Sequence, residues 1–96
     1  MHRRTFFLIP LLAACQRKDS GELKQLIRDL SATDPKLRNK AALRLAAFGK
    51  EAEVAVPALI RILRTDPSKG IRSSAAYALR SIGTPEALAA LESYEK

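Results

Sequence analysis

The sequence predicts an all-α solenoid of about two and a half helical-hairpin repeats, about five helices in all. Three observations predict it. A residue pattern recurs after 34 positions, apolar residues step by three and four, and Leu and Ala dominate where long β-branched runs are absent.

The recurrence is in register over a whole helix. A shift of 34 lays Arg38 on Arg72, Ala41-Ala42 on Ala75-Ala76, Leu45 on Leu79 and Gly49 on Gly83. Leu37 meets Ile71 and Phe48 meets Ile82, keeping apolar character. Thr33-Asp34-Pro35 returns as Thr65-Asp66-Pro67, two residues out of step, so the second connection is longer.

Each element follows from local chemistry. Leu23, Leu26, Ile27 and Leu30 mark a first amphipathic helix over residues 22–31. Leu37, Ala41, Leu45 and Phe48 make one face of a second, and their equivalents Ile71, Ala75, Leu79 and Ile82 make one face of a fourth. The alanines let neighbouring helices approach. The Asp34 carboxylate suits the N-cap, and Pro35 suits the first helical position, where a missing N–H costs little. Gly49 and Gly83 suit the left-handed residue that closes a helix. A third helix, starting at about residues 53 to 56, carries Pro57 in its first turn. A fifth is capped by Thr84, with Glu86 near its positive end. The repeats are 35–65 and 67–95, within a domain over 22–96.

These residues resemble the HEAT-repeat family in its short form, also seen in phycobilisome-lyase-like repeats. The carriers are Asp34-Pro35, Leu37-Arg38, Ala41-Ala42, Leu45 and Gly49, with Asp66-Pro67, Ile71-Arg72, Ala75-Ala76, Leu79 and Gly83. The resemblance implies an α-solenoid in which the turn Asp and the Arg at positions 38 and 72 hold adjacent helices together. It also implies that the second helices, residues 54–65 and 85–95, line the concave face. Arg61, Arg64, Glu86, Glu92 and Ser93 are therefore the candidates for partner contact.

The first residues read differently. Met1 to Arg4 is basic, and Thr5 to Ala14 is apolar and interrupted by Pro10. A bilayer span needs about 20 apolar residues, so this run is too short and reads as a secretory signal over residues 1–14. Leu12-Ala13-Ala14-Cys15 resembles the bacterial lipobox, which implies cleavage before Cys15 and lipid on its sulfur. Two or three acyl chains anchor stably where one does not. Residues 15–21 then form a lipidated cysteine and a polar tether; the six residues Gln16 to Gly21 reach roughly 20 Å. Arg3-Arg4-Thr5-Phe6-Phe7 resembles a twin-arginine export motif and equally fits an ordinary basic start. Gln16 stands where some Gram-negative lipoproteins retained at the inner membrane carry Asp, which leans toward the outer membrane for a Gram-negative source; the inner membrane and the cell surface are the other sites this reading admits.

Composition narrows the function. From Cys15 onward there are fifteen basic and ten acidic side chains, an excess of five. Ten of the basic ones lie between Lys36 and Arg80, facing anionic lipid, an acidic protein or only solvent. No aromatic interleaving accompanies them, which disfavours nucleic acid. His2 is the only His and Cys15 the only Cys, so the mature chain has no His for acid–base work and no zinc set of the usual kind. Glu51 and Glu53 are two apart and point to different sides of a helix, a poor catalytic pair. Tyr77 and Tyr94 read as half-buried packing residues. No catalytic residue, cofactor or metal is expected.

The reading is a non-enzymatic, lipid-anchored module of the bacterial envelope that binds an unidentified protein. The alternatives are a structural or self-associating lipoprotein and, by family analogy alone, a phycobilin-lyase-like enzyme.

Overall fold

The computed structural model describes residues 21–95, and every regular element among them is helical. Helix α1 covers residues 21–29. α2 is Pro35–Phe48, followed by a 3-10 segment, Gly49–Ala55. α3 is Val56–Thr65, α4 is Lys69–Ile82 and α5 is Pro85–Glu95. The five expected helices are present, and α3 begins inside the expected range. No helix among the described residues is long and apolar enough to cross a membrane. The expected leader, Cys15 and most of the tether lie outside the described residues.

The repeat register becomes a two-layer stack. α4 packs on α2, and α5 packs on both α3 and α4. The core holds Leu30, Leu45, Leu59, Leu63 and Leu79, none with measurable exposure, and Ala41, Ala42, Ala75 and Ala78 occupy the close helix contacts. Small side chains permit this approach, and the leucines fill the space between layers.

Capping follows the expected chemistry in α2 and α5. The Asp34 carboxylate accepts from the Lys36 N–H at 2.9 Å, with Pro35 in the first turn. The Thr84 hydroxyl accepts from the Ala87 N–H at 3.2 Å. α4 solves its start differently. Ser68, not Asp66, is its N-cap, and the hydroxyl accepts from the Ile71 N–H. Asp66 lies just before a proline, which favours extended backbone, and it sits at φ −66°, ψ 132°. The two-residue lag thus frees the Asp66 carboxylate from capping α4.

The glycines also differ. Gly83 ends α4 in the left-handed region, at φ 70°, ψ 17°. Gly49 ends α2 at φ 63°, ψ −140°, which turns the chain into the 3-10 segment rather than into a short link. Both need positive φ, which a side chain disfavours. The apolar face of α2 is less buried than its pattern suggests. Leu37 is exposed and Phe48 half-buried, whereas Ile71 and Ile82 on α4 are buried. α4 has α2 beside it, and the outer flank of α2 is open.

Candidate interaction groove and the Arg38–Asp66 clasp

A clasp between repeats sets the position of every surface residue. Asp66 lies at the junction of α3 and α4, with its side chain 2% exposed, and Arg38 reaches it from α2. The Arg38 Nε donates to Oδ2 of Asp66 at 2.7 Å, and Nη2 faces Oδ1 at 3.4 Å. The same guanidinium donates from Nη1 to the Ala32 and Thr33 carbonyls at 2.9 and 3.0 Å. One side chain therefore ties the α1–α2 turn to the α3–α4 turn.

Asp66 is satisfied on every side. Its Oδ1 accepts from the Ser68 N–H at 2.9 Å, and its backbone carbonyl accepts from Arg72 Nη1 at 2.6 Å. Burial pushes its carboxyl pKa up. The Arg38 hydrogen bond, the Ser68 N–H and the charges of Arg38 and Arg72 outweigh burial and hold it below the ordinary aspartate value. Arg38 and Arg72 thus occupy equivalent places, each donating to a backbone carbonyl six residues earlier, at Ala32 and Asp66. The linking role expected of the turn Asp and the Arg is present here as a buried ion pair. A second tie, between the Ser74 hydroxyl and the Asn39 side-chain oxygen, joins α4 to α2.

With the repeats so fixed, α3 and α5 leave a groove between them of about 440 Å³, lined by Pro57, Ile60, Arg64, Glu86, Ala89 and Ala90. Its apolar surface comes from Pro57, half-buried Ile60 and the two alanines. Arg64 and Glu86 supply opposite charges, both are exposed, and neither is in an ion pair among the described residues. The groove thus sets an apolar floor beside two exposed charges of opposite sign.

Two of the five candidate contact residues, Arg64 and Glu86, line this groove. Arg61 is exposed on α3 and donates to the Ser31 hydroxyl at 2.9 Å. Glu92 and Ser93 are exposed further along α5 and do not line it. Cys15 lies outside the described residues. Sequence reasoning missed Pro57, Ile60, Ala89 and Ala90. Their signal was helical spacing, because 57, 60 and 64 on α3 and 86, 89 and 90 on α5 each follow the three-and-four step of one face.

No group of three His, Cys, Asp or Glu side chains converges among the described residues, and every buried side-chain nitrogen and oxygen there has a hydrogen-bond partner. Tyr77 and Tyr94 are both exposed, more open than half-burial would make them.

Comparison with curated proteins and with solved structures found no match. The family model for HEAT repeats matches residues 22–95. That span holds both copies of the 34-residue pattern, the clasp and the groove, and the chain belongs to the HEAT-repeat family.

Proposed function

We propose that the protein is a lipid-anchored interaction module of the bacterial cell envelope that captures a protein partner in the groove between α3 and α5. HEAT repeats generally mediate protein–protein interaction. The observation that carries the proposal is the groove itself, with an apolar floor at Ile60 and Ala90 between the unpaired charges of Arg64 and Glu86. An apolar anchor with a complementary charged rim is the usual form of a compact protein-binding site.

The tether half rests on sequence. A basic start, a short apolar run and Leu12-Ala13-Ala14-Cys15 support lipidation at Cys15. Acylation consumes the only thiol, and cleavage before Cys15 removes the only His. Binding is the activity this reading assigns to the chain. The protein acts at a membrane surface, facing the periplasm or the cell exterior.

Photo-cross-linking tests the groove. A photoreactive residue at Ile60, in cells, should cross-link one dominant protein, and Arg64→Glu should abolish that product. The same residue at exposed Tyr77 on α4 should not give it. A dominant product from Tyr77 with none from Ile60 would overturn the proposal. Labelled fatty acid should enter the wild type and not Cys15→Ser; incorporation into both would remove the tether.

A further inference from the structure

The outer flank of α2 differs from its repeat equivalent on α4. On α4, Ile71 and Ala78 are buried, at 4% and 0% exposure, and α4 packs on α2. Their equivalents on α2 are Leu37 and Arg44, with Leu37 42% exposed and the Arg44 side chain 55% exposed. Lys40 stands where α4 has Ser74, which reaches Asn39 of α2. The positions that receive a neighbour on α4 thus carry charge and one open leucine, Leu37, on α2.

At about 100° per residue, Lys36, Leu37, Lys40, Leu43, Arg44 and Ala47 fall within about 120° of arc on α2. Leu43 is 45% exposed. Lys36, Asn39, Lys40, Leu43, Arg44 and Ala47 together line a shallow depression. Lys36 and Lys40 are in no ion pair among the described residues, and Arg44 pairs with Glu22 at 2.8 Å.

Three occupants suit such a face to different degrees. A further packed helix would take Lys40 and Arg44 out of water, which is costly unless each meets a buried partner. A phospholipid surface leaves both cations among phosphates while their methylene stems and the leucines enter the headgroup boundary. An acidic protein offers the charge, but the chain's own route favours lipid. Glu22, which touches Arg44, is the second residue of α1 and stands seven positions after Cys15. Extended chain of that length reaches only about 25 Å.

We infer that this flank, with Lys36, Leu37, Lys40, Leu43 and Arg44, is a docking face for an anionic phospholipid surface. The inference rests on the tether reading above and adds an orientation to it. The α1–α2 end of the stack lies against the bilayer, and the Arg64–Glu86 groove is left to the partner. Each basic side chain near an anionic surface contributes about 1 kcal/mol, roughly fivefold in partition, and the effect is screened by salt.

The sequence contains no Trp, so one introduced Trp is an unambiguous reporter. The Leu43→Trp protein, isolated from membranes, is mixed with vesicles of brominated phosphatidylglycerol in phosphatidylcholine. Its emission should shift to the blue and be quenched. Vesicles of brominated phosphatidylcholine alone should do neither. Adding Lys36→Glu and Lys40→Glu should lower quenching of the vesicle-anchored protein at least tenfold, with the helical circular dichroism unchanged. A Ser93→Trp reporter on α5 should stay unquenched. Equal quenching by neutral lipid, or in the charge-reversed variant, overturns the inference. A reporter that ignores vesicles but responds to soluble envelope proteins assigns the face to an acidic protein and also overturns it. The mass of the Cys15 peptide is read separately. An unacylated Cys15 with a quenched Leu43→Trp reporter removes the tether and keeps the lipid face.

Discussion

Replacing Asp66 by Ala removes the carboxylate that joins the two repeats and leaves the Arg38 guanidinium without its charged partner. Losing one member of a buried ion pair costs about 3–5 kcal/mol. Arg38 keeps the Ala32 and Thr33 carbonyls and has 14% side-chain exposure, which places the cost at the low end, about 3 kcal/mol. Arg38→Ala should cost more, about 4 kcal/mol, because it strands an anion only 2% exposed. A domain of this size has a total stability of about 4–11 kcal/mol. Either change is therefore a large fraction, and Asp66→Ala should lower the melting temperature by roughly 12–24 °C. Urea unfolding followed by circular dichroism at 222 nm measures both, and the double variant gives the coupling. The two single losses should overlap, so the double variant costs well under their sum. A loss below about 1 kcal/mol for Asp66→Ala, with additive singles, would refute the clasp.

Four further outcomes follow from the same structure. The Asp66 carboxyl titrates lower folded than unfolded, so its contribution is whole above the ordinary aspartate range and is lost as pH falls through the folded value. The wild type should lose stability more steeply than Asp66→Asn below about pH 4, measured by urea midpoints across pH. Gly49→Ala should cost about 2–3 kcal/mol and Gly83→Ala about 1 kcal/mol, because φ 63°, ψ −140° excludes a side chain more strongly than the left-handed region does. No atom crowds the added carbon at Gly49, so a loss there reports backbone strain alone. Gly70→Ala has the opposite sign: the new carbon meets only the Ser68 hydroxyl at 3.8 Å in the first turn of α4, and thermal melting should show a gain of about 0.5 kcal/mol.

The stack was legible in the sequence because its information is local and repeated. Arg38 with Arg72, and the paired alanines, mark equivalent helices, since each performs one task twice. The start of α4 was less legible. The offset recurrence of Thr-Asp-Pro marked only a longer connection; in it Ser68 takes the cap and Asp66 turns toward Arg38, 28 residues away. Spacing along one helix carries no information about such a partner. Leu37 misled in another way. Its apolar character fits the repeat, but exposure depends on whether a neighbour lies beside α2. The groove was half legible. Arg64 and Glu86 stand out as charges on the second helices, while Ile60 and Ala90 become a floor only when α5 packs beside α3.

The claim that Arg64 and Glu86 frame the partner site is tested most directly by the affinity of the cross-linked partner, measured by calorimetry with the purified protein. Arg64→Glu and Glu86→Lys should each weaken binding about tenfold or more, a loss of about 1.4 kcal/mol, because each places a like charge where the partner presents a complement. Glu92→Lys, on the same helix but outside the groove, should change it less than threefold. Unaltered affinity in both groove variants, or a larger loss at Glu92 than at Arg64, would contradict the account.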